Sequence, residues 1–212
     1  MSLLNILEKS RNVIIEMLEL RNFDVSKYTN FSLEELTIML KHTTKINETN
    51  PLDMECTHKT KKNKICIKYI LSSKIRLSNL KSLIDEIIQN EIIDDNDDLI
   101  IIIKDKINNI SFINNLINLY FKNHNIFIQI YNIGNLTINI TKHEFVPELR
   151  ILNKIDAKKI MNKYHVNDLT KFPIFSINDV QAKFYGVRSG DLCEIIRKSE
   201  TAGFFKTYRY MP

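Results

Sequence analysis

Four groups of residues in this 212-residue chain are of types that do chemistry. Cys56, His58 and Cys66 are the kinds of ligand that hold zinc. However, Cys-x-His followed at eight residues by a single cysteine supplies three ligands and no closed zinc spacing, and an ordinary strand pair reads more simply. Asp94, Asp95, Asp97 and Asp98 gather four carboxylates, the raw material of a Mg²⁺ or acid/base site. Adjacent in sequence on a polar turn, they fit a solvated loop better. Ser199, His143 or His165, and Asp191 can be written as a nucleophilic triad, since triads are recognised by geometry. Yet no strand-turn-helix elbow surrounds Ser199, and Ser-Glu-Thr is turn chemistry. Asp156-Ala-Lys158 is the one Asp-x-Lys triplet of the type that binds Mg²⁺ in nucleases, and it falls in a helical pattern rather than on a strand. No Gly-x-x-x-x-Gly-Lys-Ser/Thr or Gly-x-Gly-x-x-Gly occurs, and four glycines leave little from which to build a phosphate cradle.

The elements that must carry these residues are legible in the apolar spacing. Leu3, Leu4, Ile6, Leu7, Ile14, Met17, Leu18 and Leu20 recur at helical period behind Ser2, predicting a helix to about Arg21. Ser32-x-x-Glu35 is a capping box before Leu33, Leu36, Met39 and Leu40, predicting a second helix to about Lys45. After Pro51, the segments Leu52 to Thr57 and Ile65 to Leu71 flank His58 to Lys64 and predict a hairpin with a basic tip. A third helix is expected from Ser78 to about Glu91. The aliphatic run Leu99 to Ile103 predicts a strand buried on both faces, as in a parallel sheet covered by helices. With a helix over Phe112 to Lys122 and a strand over Ile126 to Tyr131 it makes a strand-helix-strand crossover. Leu136 to Ile140 reads as one more short strand.

The last third differs in character. Three of the four glycines lie within the eighteen residues from Gly186 to Gly203, although average usage of about 7% would spread roughly fifteen over the chain. A strand is expected over Val146 to Leu152, a helix from Asp156 to Tyr164, and a helical turn through Phe184 capped by Ser176-x-x-Asp179. A hairpin closes the chain, with strands Leu192 to Arg197 and Phe204 to Tyr210 around a five-residue polar loop. Net charge is +5 overall. Residues 143–212 carry 12 Lys/Arg against 8 Asp/Glu, and residues 1–142 carry 18 against 17. That modest basicity permits nucleic-acid contact without requiring it. An apolar fraction of 44% with 26% charged residues is globular. No stretch resembles a signal or a membrane span, and three dispersed cysteines fit a reducing compartment. The many Ile, Asn and Lys residues suggest an AT-rich coding sequence, as in some protists and large DNA viruses.

Certain strings of the last third carry a resemblance. His143-Glu-Phe-Val-Pro147, Phe172-Pro173-Ile174, Tyr185-Gly186, Arg188, Gly190-Asp191, Ile195-Ile-Arg197, Ser199-Glu200-Thr201-Ala-Gly203 and Tyr208-Arg209, in that order, resemble the small assembly subunit of cellular RNA polymerases. It is called H in archaea and is the fifth subunit, shared by the three nuclear enzymes, in eukaryotes. The resemblance implies an α/β N-terminal jaw domain over residues 1–141, of nuclease-like fold without its active site, and a small α+β C-terminal assembly domain over residues 142–212. It further implies a non-catalytic subunit with no cofactor and no membrane. Its partners would be the largest polymerase subunit, other polymerase subunits and, weakly, downstream duplex DNA. Its place would be the nucleus if the source is cellular, and a cytoplasmic viral factory or virion if viral. In that family a Thr-Pro-Ser-Ala turn lies close to the DNA; the matching positions here are Ser111-Phe-Ile-Asn114. Asp179-Val180 stands where the family has Asp-Pro.

Two kinds of contact follow as expectations. Lys59, Lys61, Lys62 and Lys64 on the first hairpin, and Lys104, Lys106, Asn108 and Ser111 beyond the buried strand, are the candidate nucleic-acid contacts, as carriers of charge rather than readers of bases. In the closing hairpin, Phe204, Phe205, Tyr208, Arg209 and Tyr210 concentrate the residue types that dominate interface hot spots. Phe204 and Tyr208 would equally fill the small domain's own core, whereas Arg188, Arg197 and Arg209 are harder to bury. With the motif residues His143, Pro147, Pro173, Gly190, Ser199, Glu200, Thr201, Gly203 and Tyr208, these arginines are the candidates for the subunit interface that the resemblance implies. The rival readings are a Mg²⁺-dependent nuclease and a free DNA-binding protein, each using the N-terminal α/β domain.

Overall fold

The computed structural model describes residues 3–29, 31–41, 50–71, 77–104, 109–199 and 201–212. They fall into two compact units, Met1–Ile138 and Asn139–Pro212.

The first unit runs α1 (Leu3–Leu20), α2 (Leu33–Lys41), β1 (Met54–Thr57), β2 (Lys64–Ile70), α3 (Leu77–Gln89), β3 (Asp98–Ile103), α4 (Ile110–His124) and β4 (Phe127–Asn132). The capping box closes as the spacing demands: Ser32 N–H donates to Glu35 Oε2 at 2.8 Å, and Glu35 N–H to Ser32 Oγ at 3.2 Å. The expected end of α2 near Lys45 and the Ser2 cap lie outside the described residues. Helix α3 begins at Leu77, so Ser78 is already inside it.

The sheet order is β1-β2-β3-β4, with β1 antiparallel to β2 and both β2/β3 and β3/β4 parallel. All six residues of β3 are buried, because helices cover both faces of the strand at the sheet's centre. Cys66, Ile70, Leu99, Ile101, Ile128 and Ile130 pack against Leu83, Ile84 and Ile87 of α3 and Ile113, Leu116 and Tyr120 of α4. The alternate residues Ile67, Ile100 and Ile102 are equally buried on the other face. The strand expected at Leu136 to Ile140 is absent. Two 3-10 turns, Ile133–Leu136 and Ile140–Lys142, stand there instead. Asn132 and Asn139 accept from the N–H groups of Gly134 and Thr141, and this local side-chain capture of backbone donors outcompetes the β preference of Leu, Thr and Ile.

The second unit runs β5 (Glu148–Ile151), α5 (Lys154–Lys163), α6 (Val180–Tyr185), β6 (Leu192–Ser199) and β7 (Gly203–Tyr210). Its sheet is an antiparallel β5-β6-β7. Strand pairing continues to Ser199 opposite Gly203, so the hairpin loop is shorter than the five residues expected. The cap of α6 also differs. Asp179 itself accepts from Gln181 and Ala182 N–H at 2.8 and 3.0 Å, while Ser176 lies a turn earlier and takes no part in the cap. Val180 thus occupies the first helical position, where proline is favoured because that N–H has no helical acceptor. The valine leaves the helix intact.

Candidate functional site

Most of the short strings that single out the second unit hold its turns. Helix α6 ends on Gly186 at φ 69°, whose N–H reaches the carbonyls of Ala182 and Lys183. The next turn is tied by Arg188 N–H donating to Asp191 Oδ2 at 2.8 Å and by Gly190 N–H donating to Met211 O at 2.9 Å. Gly190 has φ 92°, and a Cβ there would meet nothing within 4 Å, so backbone conformation rather than crowding calls for glycine. Gln181 Nε2 donates to the Pro147 carbonyl, and Tyr210 N–H to the Pro173 carbonyl at 2.9 Å. At the hairpin end, Ser199 Oγ accepts from Ala202 N–H at 3.3 Å and lies 3.4 Å from Thr201 Oγ1, while Gly203 turns back at φ 72°. Glu200 lies outside the described residues.

Alternation along β6 and β7 sends side chains to two faces. Leu149, Cys193 and Ile195 pack with Ala182 of α6, Phe175, Val187 and Met211. On the opposite face Leu192, Tyr208 and Phe172 pack with Ala157, Ile160 and Met161 of α5. Within that second layer the buried Glu194 carboxylate accepts from Tyr208 Oη at 3.0 Å and from Lys206 Nζ at 3.1 Å. Burial, and then the bond to Glu194, push the Tyr208 phenol up to about 12. Tyr208 is therefore a core residue.

Beyond these layers the hairpin continues uncovered. Arg197, Lys198 and Thr201 are exposed, and Phe204 and Phe205 are 68% and 56% exposed. The core role weighed for Phe204 is overturned, because neither α5 nor α6 reaches so far along the strand. Phe205 pairs across with Arg197 and Phe204 with Lys198, so each face of the tip presents one aromatic ring and one cation. Arg209 is half-buried, and its Nη1 donates to the Ile174 carbonyl at 3.1 Å, tying the 173–175 segment to β7. Arg188 is also half-buried. Among the arginines considered, Arg197 is the exposed one. His143 is exposed, accepts from Phe145 N–H at 3.3 Å, and lies 5.7 Å from the ring of Phe145, itself 86% exposed. Phe145 was a missed candidate; its one sequence signal is a phenylalanine between two charged or polar residues and a proline.

The other chemistry-bearing groups are dispersed. Ser199 and Asp191 stand eight residues apart along one strand, about 26 Å at the usual rise, which rules out a triad. Cys56 opposes Ile65 on the α1 face, whereas Cys66 lies among the α3 and α4 side chains on the other. A sheet therefore separates two of the three imagined zinc ligands. Burial pushes all three thiols up to about 12, so they are inert at neutral pH. The carboxylate run is solvated only in part: Asp97 and Asp98 are buried, Asp98 as the first residue of β3, and Asp97 accepts from Lys64 and Asp94 N–H at 2.7 and 3.1 Å and so organises its own turn. Among the described residues, no three His, Cys, Asp or Glu are grouped to hold a metal, and no helix is long and apolar enough to cross a membrane.

The candidate nucleic-acid contacts do not converge either. Lys59, Lys61 and Lys62 are exposed on a tip folded around the His58 ring, whose Nδ1 accepts from Thr60 and Lys61 N–H at 3.2 and 3.1 Å. Lys64 is half-buried and 3.5 Å from Glu55. Lys104 is exposed just past β3, at the opposite end of the parallel strands and about 20 Å away. Lys106 and Asn108 lie outside the described residues. Ser111 is exposed but sits in the first turn of α4, which Asn109 caps by accepting from Phe112 N–H at 3.1 Å. The helix expected over Phe112 to Lys122 begins two residues earlier, at Ile110, so the Ser111 to Asn114 positions, which the resemblance matches to a turn, lie in its first turns.

Comparison with known proteins bears on the second unit. The family "RNA polymerase Rpb5, C-terminal domain" matches residues 138–211. The DNA-directed RNA polymerase subunit Rpo5 of Pyrococcus abyssi is 40% identical over 76 residues, covering 36% of this chain and 92% of that protein. The subunit rpabc1 of RNA polymerases I, II and III in Dictyostelium discoideum is 34% identical over 82 residues, 39% of this chain and 41% of the relative. For the RPABC1 subunit of Caenorhabditis elegans the figures are 38% over 74 residues, 35% of each chain. The match thus spans well under half the length of these eukaryotic relatives.

Proposed function

Because the chain belongs to the Rpb5 family of RNA polymerase subunits through its C-terminal domain, we propose that it is a non-catalytic subunit of a multisubunit DNA-directed RNA polymerase. In this reading the second unit docks on the largest subunit, and the first unit is a jaw-like α/β domain beside downstream DNA. Phosphodiester chemistry and its metal ions belong to the large subunits. The observation that carries the reading is the full-domain likeness to an archaeal subunit, which leaves almost none of that relative unmatched.

The residues kept at the surface fit the reading. A small domain that uses its glycines, Asp179, Asp191 and Tyr208 to hold two thin cores still leaves Phe204, Phe205 and Arg197 in solvent. Aromatic and arginine side chains bury much area at an interface and offer donors there, which compensates for their exposure in the free chain. The first unit's part is weaker and electrostatic. Three exposed lysines at one end of the sheet and Lys104 at the other offer sequence-independent attraction, partly offset by Asp24, Glu55 and Asp97 around the tip.

Affinity capture of the tagged full chain from its native source, with identification of the co-purifying proteins, tests the reading. The two largest polymerase subunits are expected in stoichiometric yield. Their absence, together with Mg²⁺-dependent DNA cleavage by the chain alone, would move it to the nuclease class.

A further inference from the structure

We infer that the outer edge of β7 is a strand-addition site, taking an extended, carboxylate-bearing and partly apolar segment of the subunit on which the chain assembles; this rests on the assembly reading above.

The register shows which main-chain groups face outward. Tyr210 donates its N–H to Pro173 O at 2.9 Å and accepts from Phe175 N–H at 2.7 Å, so both its backbone groups point away from β6. In an antiparallel ladder this orientation repeats every second residue. Tyr208, Lys206 and Phe204 therefore also direct N–H and C=O outward. The Phe204 N–H is taken by Ala202 O at 2.8 Å, closing the loop end. Among the described residues, no backbone bond engages the outward groups of Lys206 or Tyr208. The Pro173–Phe175 segment covers the base of the edge and stops there.

By contrast, the edge of β1 in the first unit is closed. Tyr28 Oη donates to Glu55 O at 3.1 Å and accepts from Glu55 N–H at 2.8 Å, while Asp24 N–H donates to Thr57 O at 2.9 Å. Native sheets blunt free edges with lysine, proline or a covering segment. Lys206 is such a lysine, but Phe204 and Phe205, both more than half exposed, are the opposite of a protective device. An added strand would cover both rings, one on each face, while pairing with the backbone.

Charge selects the guest. The described part of the hairpin carries four cations, Arg197, Lys198, Lys206 and Arg209, against one carboxylate, Glu194, which is buried and already bonded to Lys206 and Tyr208. A segment with apolar residues beside the phenylalanines and carboxylates towards the cations satisfies both features.

Lys206→Pro is the specific test, since it deletes an outward N–H without removing a ladder bond to β6, and Lys206→Ala controls for the lost Glu194 contact. In capture from the native source, Lys206→Ala should retain the polymerase subunits, whereas Lys206→Pro should lose them by about tenfold or more at a melt matching that of Lys206→Ala, since both lose the same Glu194 contact. Arg197→Glu with Lys198→Glu should also lower capture. Should Lys206→Pro fail to fold, amide hydrogen exchange of the wild-type chain decides: exchange in the peptide over Lys206 to Tyr208 should slow by at least about tenfold on assembly. Wild-type capture by Lys206→Pro, or unslowed exchange in the assembled chain, overturns strand addition and leaves the assembly reading standing. Edge protection in a self-associated dimer would make the guest a second copy and overturn the stated partner. Failure of the wild-type chain to capture any polymerase subunit would remove both readings.

Discussion

The two units solve the same sheet problem in opposite ways. In the first, the central strand is buried on both faces, β1's edge is closed by Tyr28, and each polar cluster turns inward on itself: Asp97 on its own loop, His58 on the lysine tip. In the second, a three-stranded sheet runs past the ends of its helices and leaves a hairpin tip with two bare phenylalanines. Both units leave large apolar side chains exposed, but in the first they stand on helices and turns, as Leu33, Ile38, Leu119 and Ile138 do, whereas in the second Phe204 and Phe205 stand on an open strand edge. A small domain buries a lesser share of its surface than a large one, and the second unit also exposes Phe145, Ile155 and Ile174; the hairpin differs in setting two phenylalanines beside an open strand edge.

That contrast breaks most readily in the first unit's core. Leu99→Ala empties a fully buried site in the central strand and should cost about 2–5 kcal/mol, read as a lower denaturation midpoint. A cost under about 1 kcal/mol would mean that the sheet's centre is less tightly packed than the burial of β3 implies.

Within the second unit, Tyr208→Phe should cost about 1–3 kcal/mol, since a buried carboxylate loses one of its two donors. The same change sharpens a pH test. The Tyr208 phenol titrates higher in the folded chain than in the unfolded one, so its contribution is fully present below the unfolded value of about 10 and is lost as pH rises towards about 12. Wild type should therefore lose stability between those limits more steeply than Tyr208→Phe. Parallel melting curves would deny the Glu194 bond its role.

Much of this was legible in the residues. Leu99 to Ile103 is too continuously aliphatic for anything but a strand covered on both faces, and Ser32 with Glu35 fixed a helix start to the residue. What escaped was whatever depends on the reach of one element over another. Cys56 and Cys66 look like neighbours until the strand register puts them on opposite faces. Phe204 reads as core by type, and only the lengths of α5 and α6 decide that it is not. Asn132 and Asn139 turned an apparent strand into two 3-10 turns through single side-chain bonds, which local β preference does not reveal. The open edge of β7 has no sequence signature, because it arises from where the 173–175 segment stops.

The smallest effects belong to the lysine tip. Lys59, Lys61 and Lys62 changed together to alanine should shift stability by no more than about 0.5 kcal/mol. Downstream-DNA retention by the assembled polymerase should fall only modestly, with a salt-dependence slope lower by no more than about three. A loss of sequence discrimination instead would make these residues base readers and the first unit a recognition module.

The contrast between a closed β1 edge in the first unit and an open β7 edge in the second rests most directly on the pair Phe204 and Phe205. The double change Phe204→Ala with Phe205→Ala, made in the full chain, should leave the thermal melt at the wild-type position, because neither ring is in a core. It should also reduce capture of the largest polymerase subunit by about tenfold or more, as expected for hot-spot aromatics. Undiminished capture, or a melt lowered by several degrees, would contradict the account and return the phenylalanines to the domain's own packing.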